Sequence, residues 1–180
     1  SDFDAWFSEQ ASEQVAPDYE QAKGEVLEDL KSQQSRLRHG MDVLCSKRNP
    51  NAFKAFRLAN QGMLTQMERM AHRADRTFDG NSARWRPFQL AFQLLSIPGT
   101  ISDDEQSGCD LVDLVWFPTG GGKTEAYLLL AAFVIIYRRL EHGDLGEGTC
   151  ILSRYTLRLL TSQQFDRTAT LTCALEHMRR

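Results

Sequence analysis

Seven consecutive residues, Thr119-Gly120-Gly121-Gly122-Lys123-Thr124-Glu125, combine the groups needed to hold a polyphosphate. Glycines let backbone N–H groups turn inward around a phosphate with no Cβ in the way, and the start of a following helix adds partial positive charge. Lys123 offers a point charge to β- and γ-phosphate oxygens, and the Thr124 hydroxyl offers a ligand to Mg²⁺. These two are the candidate catalytic residues, with Thr124 the candidate metal ligand. Asp110 to Phe117 reads as a buried strand and Ala126 to Leu140 as an apolar helix. The glycines are therefore expected at a strand-to-helix turn, which is the context a phosphate loop requires. One departure is that Phe117 stands where the strict pattern G-x-x-x-x-G-K-[ST] has its first glycine.

Two further stretches carry polar groups in a suggestive order: Arg86-Pro87-Phe88-Gln89 before the loop, and Arg154-Tyr155-Thr156-Leu157-Arg158-Leu159-Leu160-Thr161-Ser162-Gln163-Gln164 after it. With Pro118 to Thr124, they resemble the motifs of superfamily 2 helicases, many of which lack the first glycine. In that family the glutamine of an Arg-Pro-x-Gln element reads adenine, and Gln89 falls on it. A carboxamide can donate to adenine N7 and accept from N6 at once. Arg158, Leu160 and Gln163 match the strand-gripping motif that follows, whereas Thr156-Leu157 replaces its usual Pro-Thr.

Over the longer runs Trp85 to Phe92, Val115 to Tyr127 and Arg154 to Phe165, the chain is similar to the DrmA family, the helicase-like subunits of the bacterial anti-phage system DISARM. The resemblance implies an ATP-dependent DNA-binding motor that takes ATP and Mg²⁺ and works with the protein DrmB. It assigns Arg86, Gln89, Thr119, Gly120, Gly121, Gly122, Lys123, Thr124 and Glu125 to the nucleotide. It assigns Thr156 and Arg158 to sequence-independent contacts with a DNA backbone. The acidic motif and second lobe of such a motor have no counterpart up to Arg180, so this stretch alone is expected to be inactive. The same motifs would serve a restriction-type translocase subunit. A non-catalytic module switched by nucleotide is a further reading, and small-molecule kinases usually keep the first glycine.

The elements that must position these groups read as α/β. Residues 1–84 form a helical region, and residues 85–180 the first half of a RecA-like parallel-sheet lobe. Apolar residues recur at helical spacing from Tyr19 to Leu44, and Asn49-Pro50 signals the start of a second helix, so a helical hairpin is expected. Phe53, Phe56, Met63, Met67 and Met70 form the core stripe of the second helix, widened by Ala52, Ala55, Ala59 and Leu64. Arg69, Arg73, Arg76, Arg84 and Arg86 surround a turn at Asp75 to Asn81 and read as a solvated surface. A helix opening at Trp85-Arg86-Pro87 is expected to end at Pro98-Gly99-Thr100. Thr149 to Ser153 reads as a second buried strand, giving a right-handed strand–helix–strand unit.

With 180 residues and 42% apolar content the chain can bury a sizeable core. A net charge of −3 rules out a basic surface overall, so nucleic-acid contacts must be local. Asp2 to Asp29 is acidic, and Arg154, Arg158, Arg167, Arg179 and Arg180 make the end basic. Cys45, Cys109, Cys150 and Cys173 lack zinc-site spacing and read as reduced core thiols, and the four histidines share no ligand spacing. Asp103-Asp104-Glu105 precedes the loop and follows no strand, so it is given to solvent. Leu128 to Tyr137 is too short to span a bilayer, and a soluble cytoplasmic protein is expected. A start on Ser1 suggests a piece of a longer chain.

Overall fold

The computed structural model describes residues 2–102, 111–118, 120–154 and 158–180, with side chains for all but residues 2, 3 and 158–161. Among these residues six α-helices follow in order: α1 Asp2–Ser12, α2 Glu20–Cys45, α3 Pro50–Arg73, α4 Pro87–Ile101, α5 Lys123–His142 and α6 Arg158–Arg179. Short 3-10 turns at Pro17–Tyr19, Gly80–Ser82 and Gly143–Gly146 punctuate them. No helix among the described residues is long and apolar enough to cross a membrane.

Helix α3 is the centre of the packing. Asn49 caps it, accepting the Ala52 amide at 3.2 Å, and Pro50 occupies the first turn, where a missing N–H costs nothing. The Asn49 side chain also donates to the Tyr137 hydroxyl at 2.7 Å, so the start of α3 meets the end of α5 and the two helices run antiparallel. Burial raises the Tyr137 pKa, opposed by that bond from Asn49. The buried stripe of α3 is Ala52, Ala55, Ala59, Gly62, Met63 and Gln66, while Phe53 and Leu64 are exposed. The small residues are therefore the seam itself, not a widening of an aromatic and methionine stripe. They bring α5 close enough for Leu129, Ala132 and Phe133 to be fully buried. A Cβ at Gly62 would lie 2.5 Å from Leu175 of α6, so that contact is close as well.

The expected parallel sheet is absent: among the described residues there is no strand. Of the two runs read as buried strands, residues 111–117 and 149–153 have no ladder partner. Val112, Leu114, Trp116 and Leu152 are between 81% and 96% exposed, where a buried strand would have hidden them. The reason lies in α5, whose apolar surface is covered by helices α3, α4 and α6, which take the place a sheet was expected to fill. Among the described residues the architecture is an all-helical bundle. One core draws on Leu44 and α3 as well as on Ile97, α5 and Leu171, so it runs across residues 84 and 85.

Helix α2 packs chiefly on α4, and less on the α3 to which a short link joins it. A Cβ at Gly40 would overlap the Leu94 carbonyl, so only glycine permits this approach. Helix α4 does not stop at Pro98 but runs through it to Ile101, with Pro98 buried. Pro98 has no N–H to give the carbonyl four residues earlier, which is that of Leu94. The carbonyl released in this way is the one that fits against Gly40. Nearby, Arg36 of α2 grips Asp113 through two bonds of 2.9 and 3.0 Å and reaches the Leu95 carbonyl.

Cys45 and Cys173 are exposed thiols and not core residues, while Cys150 is half-buried. Cys109 and Asp103-Asp104-Glu105 lie outside the described residues.

Candidate functional site

The glycine turn sits at the head of α5, as the residue pattern requires, although what precedes it is not a strand. Gly120 and Gly122 have φ of +79° and +90°, backbone conformations that residues with a Cβ rarely adopt. Gly122 takes the N-cap place of α5 with no side chain capping the helix, which leaves the first-turn amides facing the turn. The Gly121 amide donates to the Pro118 carbonyl at 3.1 Å and closes the loop.

Lys123 Nζ donates to the carbonyls of Phe117 and Pro118, the second at 3.2 Å. Its charge is thus held at the mouth of the glycine turn. Thr124 is half-buried beside it. Glu125 would oppose an anion here, but Arg167 of α6 takes its carboxylate at 2.7 Å and compensates the charge. Phe117, which replaces the first glycine, stacks on Phe88 of α4 with ring centroids 3.9 Å apart and planes at 21°. An aromatic contact therefore anchors the entry of the loop, at the end of the run read as a buried strand.

Helix α4 holds the loop from the other side. Gln89 is buried; its Oε1 accepts the Arg86 amide at 2.8 Å and its Nε2 donates to the Gly122 carbonyl at 2.7 Å. Arg86 Nη1 donates to the Gly121 carbonyl at 3.0 Å. One turn later Gln93, fully buried, donates to the Ala126 carbonyl at 2.8 Å. The two glutamines reach carbonyls the same distance ahead in the chain, so α4 and α5 run side by side in fixed register. Gln93 has no place in the sequence reading, and Arg167 figures there only as one of the arginines that make the end basic. The available signal was a pair of glutamines four residues apart on an otherwise apolar helix.

Beside Gln89 opens a groove of about 600 Å³ between α3 and the segment before α4, bordered by Met63, Met67, Trp85, Arg86, Gln89 and Gly122. Trp85 is fixed by donating to Asn60 Oδ1 at 2.6 Å. The structure thus brings together Arg86, Gln89, Gly120, Gly121, Gly122, Lys123, Thr124 and Glu125. Thr119 and Thr156 lie outside the described residues, and Arg158 opens α6. Among the described residues no group of three His, Cys, Asp or Glu could hold a metal ion by itself. Uncapped amides, a positioned ammonium and a neutralised carboxylate suit a polyphosphate. Thr124 would then supply one ligand to an Mg²⁺ that keeps phosphate oxygens and waters as the rest.

Gln89→Ala leaves the Gly122 carbonyl and Arg86 amide without their partner and is expected to cost about 2 kcal/mol. Amide hydrogen exchange at Gly120 to Lys123 should accelerate in that variant while exchange in α3 stays unchanged. Unaltered exchange in the loop would show that Gln89 does not hold it.

The chain is 40% identical over 189 residues to DISARM protein DrmA of Bacillus paralicheniformis, an alignment covering 98% of this chain and 17% of that protein. The chain thus spans about a sixth of the length of this curated relative. No protein-family model matches the chain, and no solved structure is significantly similar to it.

Proposed function

Since this chain belongs to the DrmA family along the stretch it shares with that relative, we propose that it is the nucleotide-holding segment of a DISARM anti-phage defence protein. The occupant of the loop is ATP with Mg²⁺, and the intact protein is an ATP-driven motor on DNA. The observation that carries the reading is the loop itself: two left-handed glycines, uncapped amides at the head of α5, and Lys123 at its mouth. Anions favour such a helix start, and the ammonium adds a charge-assisted contact.

Within this reading Lys123 binds β- and γ-phosphate oxygens and Thr124 the metal. Arg86 and Gln89 set the shape of the loop through Gly121 and Gly122. The Gln89 carboxamide keeps one N–H and one lone pair beyond its present bonds, and these are what it offers to adenine. Thr156 and Arg158 serve DNA phosphates. The Glu125–Arg167 pair ties the helix that Arg158 opens to the first turn of α5. That gives DNA contacts and nucleotide contacts a shared mechanical link. The partner DrmB belongs to the same proposal.

The test is ATP turnover by the intact protein with and without DNA. Stimulation by DNA is expected. In Arg158→Ala, half-maximal stimulation should need roughly tenfold more DNA, the effect of one lost charge-assisted phosphate contact. Turnover that is absent, or indifferent to DNA, would sink the motor reading.

A further inference from the structure

The first 45 residues contain an amphipathic surface that the bundle does not use. Along α2 only Gly40 and Leu44 are buried, both near its end, so the apolar face of its first half lacks a covering helix. Helix α1 folds back on it, and polar ties help to hold it there. Lys23 donates to the carbonyls of Ala11 and Glu13; Gln34 and Arg38 bond Asp4; and Lys31 lies 5.4 Å from the centre of the Phe7 ring. These contacts fix α1 without filling the space beside it. A groove of about 460 Å³ remains, bordered by Trp6, Val15, Tyr19, Val26, Leu27 and Leu30. Trp6 is 43%, Val26 57% and Tyr19 65% exposed.

The charge around this groove is predominantly acidic. Residues 1–30 contain nine acidic residues and a single basic one, Lys23, which is already bonded to two carbonyls. Glu13 and Lys23 border the groove directly, the ammonium already being taken up by the two carbonyls. Glu20 and Asp29 flank the apolar face of α2 at helical spacing, and Glu9 and Asp18 are exposed near it in the chain. An apolar floor between acidic walls repels nucleic acid and anionic lipid. It is complementary to a helix that is apolar on one side and basic on the other.

We infer that the α1–α2 groove is a docking site for a basic amphipathic helix of a partner protein. This rests on no part of the nucleotide reading. Apolar residues of the incoming helix cover Trp6, Tyr19 and Val26, and its lysines or arginines face Glu13, Glu20 and Asp29. The net charge of the whole chain, only −3, does not favour such a partner; the concentration of acid at this end does.

The experiment titrates the intact protein with two labelled synthetic helices of identical leucine faces, one bearing lysine and one glutamate on the polar face. Fluorescence anisotropy is the readout. The lysine helix is expected to bind and the glutamate helix not. Val26→Gln, at an exposed position that folding does not need buried, should weaken the lysine helix roughly tenfold. Combined Glu13→Lys, Glu20→Lys and Asp29→Lys should reverse the preference between the two helices. Equal binding of both helices, a preference that survives charge reversal, or unchanged affinity in Val26→Gln would each overturn the proposal. So would sedimentation showing that a second copy of the chain occupies the groove through Val26.

Discussion

ATP affinity falls by roughly 100-fold in Lys123→Ala, and DNA-stimulated turnover by the intact protein disappears. The estimate follows from the loss of charge-assisted hydrogen bonds worth about 3 kcal/mol. The geometry adds a second penalty in the same direction. Lys123 Nζ is bonded to the Phe117 and Pro118 carbonyls, so two oxygens converge where the ammonium sits. Removing the ammonium leaves those dipoles presenting negative charge to an incoming phosphate. Lys123→Arg keeps the charge in a bulkier planar group and should restore only part of the affinity. Titration with a fluorescent ATP analogue, beside a melting curve to confirm the fold, separates binding from stability. A Lys123→Ala protein that binds ATP within threefold of the wild type would dismiss the loop as the nucleotide site.

The second large effect concerns two glycines of one helix. Gly24 and Gly40 both lie inside α2, and by helix propensity each change to alanine should stabilise by about 1 kcal/mol. At Gly24 nothing stands within 4 Å of a Cβ, so that gain is expected in full. At Gly40 the Cβ would overlap the Leu94 carbonyl, which is backbone and cannot rotate away. Separating α2 from α4 to admit it should cost about 3 kcal/mol, outweighing the propensity gain. In thermal melts Gly40→Ala is then expected to lower the midpoint by several degrees and Gly24→Ala to raise it slightly. If both variants move the same way, the close α2–α4 approach is not what Gly40 serves.

Much of the helical frame was legible in sequence because its signals are local. The Tyr19-to-Leu44 periodicity corresponds to α2 at Glu20–Cys45, and Asn49-Pro50 corresponds to the cap and first turn of α3. The glycine turn was legible as the head of a helix for the same reason. What periodicity does not encode is the partner of an apolar face. Helix α5 is apolar almost all round, and a sheet or three helices would satisfy it equally. The short apolar runs 111–117 and 149–153 tipped the reading toward a sheet, yet their side chains are largely exposed and helices α3, α4 and α6 do the covering. Pro98 misled in a similar way. The carbonyl it releases inside α4, that of Leu94, faces Gly40, a residue far earlier in the chain that no local rule connects to it. Gln89 was found from its place before the loop, but its two present bonds, to Arg86 and Gly122, arise from the α4–α5 register, and that is set in three dimensions.

The Arg36–Asp113 pair has a bearing on how the molecule behaves in company. Residues 111–117 present Val112, Leu114 and Trp116 to solvent at every second position, with Asp113 the one charge among them. A window of that kind is the usual seed of edge-to-edge self-assembly. Here the run is fastened at two points, by Asp113 to Arg36 and by Phe117 to Phe88. The guanidinium therefore restrains the ribbon against α2, which limits its freedom to take up the extended pairing such assembly requires.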